Sequence, residues 1–244
     1  NLSKVQQLLK SEPSLANCEW GYFTPLHFAV REGHTDIVKL LLDYGADATV
    51  KNLSWQDSPT TKARDRGHKT ISDLLQNHLT SKFQSSPAGA EICNLIKERK
   101  ISQVMELLRK TPALLHSSDD RGNTPLHWAV MTRQLELIDQ LFELGADAQA
   151  KRADGSTPVQ VAIQGDYWYR SSRDLESSAI RNPWFVAGYL ISKGADYDLH
   201  IASSVGDTEA VVRFLQETPT MVNEKDSSGR TALYYAAKFG HLQT

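Results

Sequence analysis

The side chains in this sequence best placed to do chemistry are its histidines, and two of them recur in one phrase. His27 lies in "TPLHFAVREGH", from Thr24 to His34, and His127 lies in "TPLHWAVMTRQ", from Thr124 to Gln134. An imidazole on an otherwise apolar segment could bind a metal or serve as a general base. A metal centre needs three or four ligands converging on one point, and no spacing around either histidine supplies them. The structural alternative is a ring hydrogen-bonded to the threonine three residues earlier and to nearby backbone. Gln160 and Thr61 fill the same slot in further copies of the phrase. A replaceable polar linker explains that exchange and a ligand does not.

Other chemistry-bearing residues read the same way. Asp47, Asp147 and Asp196 each follow a Gly-Ala pair and are expected as turn formers rather than acids. His34, His68 and His241 follow or adjoin a mid-phrase glycine and are expected to close a turn; His78 and His116 are expected on the surface. Cys18 and Cys93 lack CxxC or histidine neighbours at metal spacing, and two cysteines cannot form a disulfide framework. The run "KARDRGHK", Lys62 to Lys69, could meet phosphate or an acidic peptide. It lacks interleaved aromatics and is expected as a solvated helix face. There is no GxSxG elbow, glycine-rich phosphate loop, HExxH or EF-hand loop, so no catalytic motif is recognised.

The elements that carry these residues repeat. Aligned on Thr24, the phrase returns at shifts of 34, 100, 133 and 207 residues, at Ser58, Thr124, Thr157 and Thr231. A second phrase recurs as "LLLDYGADA", "LFELGADA" and "YLISKGADY". Within a copy, Thr24 precedes Pro25, a helix start in which threonine caps and proline loses no needed N–H. Leu26, Ala29 and Val30 share one helical face. Gly33 permits a turn, and Ile37 to Leu42 give a second helix a broad apolar side. Gly45 suits its C-terminal cap.

The recurring TPLH, the later GH, the apolar run and GAD together resemble the ankyrin repeat family over most of the chain. The resemblance implies an all-α solenoid: about seven stacked helix-turn-helix units, some partial, with short β-hairpin-like fingers. It implies a non-enzymatic protein-protein interaction module that needs no cofactor and no metal. The alternative is a targeting or regulatory arm of a larger enzyme whose catalytic domain lies outside these residues. The links "PSLAN" and "PTMVN" resemble those of bacterial ankyrin proteins. The family also often has asparagine where Asn17 and Asn223 stand. There it can be a hydroxylation target; here a turn role is expected.

Departures from the repeat set the expected organisation. Residues 1–79 read as N-terminal repeats, the first partial, and 80–90 as a loop or break in the stack. Residues 91–244 read as C-terminal repeats, the last partial. In the copy starting at Thr157 the shift of the second helix is 149 rather than 133, an insertion of 16 residues near 165–182. After Gly194-Ala195-Asp196 the next helix phrase begins at once, with its finger missing or very short. Both ends read as cut within a repeat, which predicts a chain continuing past residue 244.

Binding residues are expected where the scaffold stays constant and side chains vary: on finger tips and the exposed side of first helices, one concave strip. These are Trp20, Phe23, Arg31 and Glu32; Trp55, Asp65 and Arg66; Asp120, Arg121, Asn123, Met131 and Thr132; Ala153, Asp154 and Gln164; and Ser227, Arg230, Lys238 and Phe239. Two readings of Trp20, Trp55 and Met131 stand: an exposed apolar patch for a partner, or packing between fingers. The insertion adds Tyr167, Trp168, Tyr169 and Arg170, with Arg173, Arg181, Trp184 and Phe185. Aromatic residues and arginine dominate binding hot spots, but an insertion of this length also needs anchors, so binding and packing both remain open.

The totals frame these expectations. The chain has 244 residues, 40% hydrophobic and 23% charged, enough to bury a core. A net charge of -2 gives no general attraction to nucleic acid or anionic membrane. No stretch approaches the roughly 20 apolar residues of a membrane span. The expected partner is another protein, with no nucleic acid and no membrane insertion, bound by a monomer in the cytoplasm.

Overall fold

A computed structural model describes residues 1–21, 23–50, 58–164, 182–226 and 229–244. Among these residues there are fourteen α-helices and no sheet. The chain divides into two compact units, one of residues 1–90 with 118–122 and the other of residues 91–117 with 123–244.

The first unit contains α1 (Leu2–Ser11), α2 (Pro25–Arg31), α3 (Thr35–Asp43), α4 (Pro59–Asp65) and α5 (Lys69–Phe83), and the division between units falls inside α6 (Pro87–Lys97). Helices α2 and α3 form one antiparallel pair and α4 and α5 the next, with α2 against α4 and α3 against α5. Leu9, Leu26, Val30, Leu41, Ile71, Leu75 and Leu79 fill the space between them. A seven-residue helix such as α2 or α4 is too short to stand alone in water; neighbours supply its stability.

The second unit continues with α7 (Ile101–Lys110), α8 (Pro125–Met131), α9 (Leu135–Glu143), α10 (Pro158–Ile163), α11 (Pro183–Ser192), α12 (Leu199–Val205), α13 (Thr208–Glu217) and α14 (Ala232–Phe239). First helices follow one another: α8 on α10, α10 on α12, α12 on α14. The alanine of each phrase, Ala129, Ala162, Ala202 and Ala236, is buried in these contacts. Side chains this small let helix backbones approach closely.

Local sequence explains each start. Thr124 and Thr157 take extended backbone, and each hydroxyl accepts the N–H three residues on, from His127 and Gln160. Those third residues bond back to the threonine N–H, at 3.2 Å for His127 and 3.0 Å for Gln160. This is a capping box with histidine or glutamine in the usual acidic slot. Thr24 and His27 repeat it.

The polar stretch expected as a loop or a break in the stack over 80–90 is mostly helical, and the division between the two units falls at its end. α5 runs to Phe83 and α6 starts at Pro87, so the connection shrinks to residues 84–86. Gln84 takes a left-handed φ of 55° to end α5. Ser118 is held there within the first unit, its hydroxyl donating to the Phe83 carbonyl at 2.7 Å. After Asp196 the finger is missing, as the sequence indicated: Gly194 is followed four residues later by Asp198, the N-cap of α12. The insertion lies outside the described residues up to 181, and α11 carries Trp184 and Phe185.

Candidate partner-binding site

In the first unit, the first finger is closed between Trp20 and Phe23. Trp20 donates to the Phe23 carbonyl at 2.9 Å and Phe23 returns a bond to Trp20 at 3.1 Å. Gly21 has a φ of +55°, a conformation glycine adopts at no steric cost. The turn brings Trp20 and Phe23 onto α2. The Trp20 ring lies 6.0 Å from Phe28, and Phe23 lies 5.5 Å from the same ring. The Arg31 guanidinium sits 5.1 Å over Phe28 and bonds Glu32 at 2.7 Å. The Arg31 hydrogen bond holds the Glu32 carboxyl below its ordinary range, and the Arg31 charge adds to it.

Trp20 is 77% exposed. Phe23, Phe28 and Arg31 are half-buried, and Glu32 is exposed. The cluster is therefore an aromatic platform with a cation on its face and a carboxylate at its rim. Such a surface gains by losing water against a partner: the rings bury large area at little rotamer cost, and the cation–aromatic contact strengthens as it is desolvated. Phe28 had no role in the sequence reading; the signal was the aromatic at the same slot in both phrases, Phe28 and Trp128. Arg66 is exposed in the same unit and weakly lowers Glu32 through its charge. Arg121 is exposed, with its backbone N–H on the Asp119 carboxylate.

The second unit corrects three expectations, at Met131, Thr132 and Asn123. Met131 and Thr132 are buried, not exposed on a strip. The Arg152 guanidinium reaches the Met131 sulfur at 4.0 Å. The Thr132 hydroxyl turns inward to the Trp128 carbonyl at 2.6 Å, and the Thr132 carbonyl accepts from Arg99 at 2.8 Å. Trp128 is buried too, with the Lys97 ammonium 4.0 Å from its ring centre. Asn123 is also buried. Polar residues can leave the surface here because neighbouring repeats supply partners, a non-local fact that a single phrase does not carry.

Asp154, with its side chain 49% exposed, pairs with the buried Arg152 at 2.8 Å. Burial works to raise the Asp154 carboxyl, but the hydrogen bond and charge of Arg152 prevail and hold it at about 2. Gln164 is half-buried, with its amide near the Ser156 hydroxyl at 3.5 Å. Trp55, Trp168, Tyr169, Arg170 and Ser227 lie outside the described residues.

The histidines act within the scaffold. His27 and His127 each place Nδ1 2.9 Å from the capping threonine hydroxyl. His127 also lies 3.1 Å from the Ser156 carbonyl of the next repeat. His68 and His241 do more than close a turn: their Nε2 atoms reach the Arg31 and Ser204 carbonyls of the preceding repeats, at 3.3 Å and 2.9 Å. Gln134, in the same slot, reaches the Ile96 carbonyl at 2.8 Å. His116 is exposed, while His78 is half-buried and titrates below its ordinary value because of that burial. Asp47 and Asp147 accept the N–H two residues on, at 2.8 Å in both cases, as turn formers do. Asn17 ties one repeat to the next, donating to Gly45 at 2.9 Å and accepting from Asp47 at 2.7 Å.

Among the described residues no three His, Cys, Asp or Glu side chains gather as metal ligands. No helix among them is long and apolar enough to cross a membrane.

Comparison with known proteins agrees with this architecture. The family described as "Ankyrin repeat" matches residues 22–53, and two families described as "Ankyrin repeats (many copies)" match residues 107–162 and 179–244. The chain belongs to the ankyrin repeat family, a class of protein-interaction modules that are generally non-catalytic. The mouse (Mus musculus) protein Palmitoyltransferase ZDHHC13 is 29% identical over 144 residues, 58% of this chain and 23% of that protein. Palmitoyltransferase AKR1 of Lachancea kluyveri is 30% identical over 166 residues, 66% of this chain and 22% of that protein. The Transient receptor potential cation channel subfamily A member 1 homolog of Caenorhabditis elegans is 28% identical over 226 residues, 89% of this chain and 14% of that protein. The chain thus spans less than a quarter of the length of these relatives.

Proposed function

We propose that the chain is a non-enzymatic recognition module whose first unit grips a partner protein through Trp20, Phe23, Phe28 and Arg31. The observation that carries this reading is a tryptophan left 77% exposed while three aromatic and cationic neighbours are ordered around it. An ordered surface loses little conformational entropy on association. The reading includes a monomer in the cytoplasm; Cys18 and Cys93, which form no disulfide, suit a reducing compartment.

Quantitative affinity capture tests it. Trp20→Ala should weaken the captured partner about thirtyfold, the loss of one hot-spot side chain. Unchanged capture with Trp20→Ala, together with loss in Trp168→Ala/Tyr169→Ala, would move the function to the insertion.

A second reading, an ankyrin arm of a larger enzyme, is supported by two relatives named palmitoyltransferases that this chain matches over 23% and 22% of their length. Acyl transfer by residues 1–244 alone would contradict the non-enzymatic assignment under either reading.

A further inference from the structure

The absent finger leaves a space with built walls. In the neighbouring repeat, Gly145 and the capping Thr157 are twelve residues apart, whereas Gly194 and Asp198 are four apart. The eight missing residues are those that would form a finger. On either side a finger is present, closed by the same bond: Arg152 N–H to the Ser156 carbonyl at 3.1 Å, and Asp226 N–H to the Arg230 carbonyl at 2.9 Å. Between them lies an open groove of about 410 Å³, floored by His200 and Ile201 and walled by Gln149 and Lys151 on one side and Glu224 and Lys225 on the other.

Its charge selects an occupant. Four carboxylates, Asp196, Asp198, Glu224 and Asp226, line the groove against two ammonium groups, Lys151 and Lys225. Asp198 already caps α12, accepting from Ile201 at 2.8 Å, and Asp226 accepts from Tyr235 at 2.6 Å and from the Arg230 N–H at 2.9 Å. Asp196 and Glu224 are exposed, and among the described residues their carboxylates engage no donor. A cationic side chain entering the groove meets two available carboxylates.

We propose that this groove docks an extended basic peptide segment of a partner protein, which takes the place of the missing finger. The chain leaves out one hairpin of its own, and a strand supplied by the partner completes the row, with lysine or arginine opposite Asp196 and Glu224. This is recognition of an extended segment in a gap between fingers, with charge deciding the partner. The proposal uses none of the residues of the Trp20 platform and does not depend on it.

The test uses the full chain and two acetylated octapeptides, Lys-Thr-Arg-Val-Lys-Thr-Arg-Val and the same sequence with glutamate at every basic position. Titration calorimetry at low salt should show the basic peptide binding at least about tenfold more tightly than the acidic one. Asp196→Lys/Glu224→Lys should reverse that order. Grafting a copy of residues 148–155 between Asp196 and Tyr197 should fill the groove and abolish binding, with circular dichroism confirming an intact fold. Trp20→Ala should leave peptide binding unchanged. Equal affinity for both peptides, no binding of the basic peptide to the folded chain, or full binding to the grafted chain would each overturn the proposal.

Discussion

Gly206 offers the sharpest test of how one repeat is fastened to the next. Its φ is +75°, and a Cβ added there would lie 2.6 Å from Nδ1 of His241 and 2.9 Å from two ring carbons. That ring is not free to swing away, because its Nε2 sits 2.9 Å from the Ser204 carbonyl. Gly206→Ala therefore costs twice: roughly 1 to 2 kcal/mol for a left-handed alanine, and about 1 kcal/mol more for the displaced hydrogen bond. Gly45→Ala isolates the first effect, since φ is +80° and nothing lies within 4 Å of the added carbon. His241→Ala isolates the second. Native-state hydrogen exchange over α12 and α14 reads the local opening free energy. Gly206→Ala should lose about 1 kcal/mol more than Gly45→Ala loses in its own repeat, and Gly206→Ala/His241→Ala should cost about 1 kcal/mol less than the sum of the single variants. Equal losses at the two glycines, with additive behaviour in the double variant, would refute the fastening argument.

Further outcomes follow from the same geometry. His127→Ala leaves the Thr124 N–H and the Ser156 carbonyl without their imidazole partner in a buried site, and should destabilise the second unit by about 2 to 4 kcal/mol in urea unfolding; added zinc should not shift the wild-type midpoint. Asp154 titrates at about 2 rather than 3.8, so its contribution is full above pH 4 and disappears as pH falls towards 2. Half-exposure of the pair keeps that contribution small, and Arg152→Met should flatten the acid limb of the stability curve. Burial, reinforced by Asp226, raises Tyr235 from 10.0 to about 12. The stability it contributes is present below pH 10 and is lost as pH climbs towards 12; Asp226→Asn should lower the midpoint of the tyrosinate absorbance change assigned to Tyr235.

Much of the fold was legible because an ankyrin copy spells its own helix starts. Thr-Pro at each start, alanine in the close approach and glycine at the turn are local signals. The capping role of His27 and His127 could be read from their three-residue distance to threonine. The reach of His68 and His241 could not, because their acceptors lie 37 residues away in sequence. A faint signal was nonetheless present. Where the later repeat has histidine, at 68 and 241, the glycines at 33 and 206 lie against the ring. Where it has Gln134, the earlier repeat has Arg99, in a left-handed φ of 58°.

Sequence variation picked out Trp20, Phe23, Arg31 and Glu32, which the structure gathers around Phe28, but misjudged Met131 and Thr132 as exposed. Variation between copies marks a position released from the scaffold, yet a neighbouring repeat can recapture it. Arg152 does so at Met131, and Arg99 does so at the Thr132 carbonyl. The half-burial of His78 was missed for a related reason: α5 is longer than the repeat pattern requires, extending to Phe83.

Oxidative footprinting of Trp20 with and without a captured partner tests the recognition claim most directly. Modification of Trp20 should be fast in the isolated chain, as expected for a 77% exposed indole, and should fall sharply in the complex, whereas the exposed Leu242 should be modified equally in both. A Trp20 oxidised at the same rate in the isolated chain and in the complex would contradict the account.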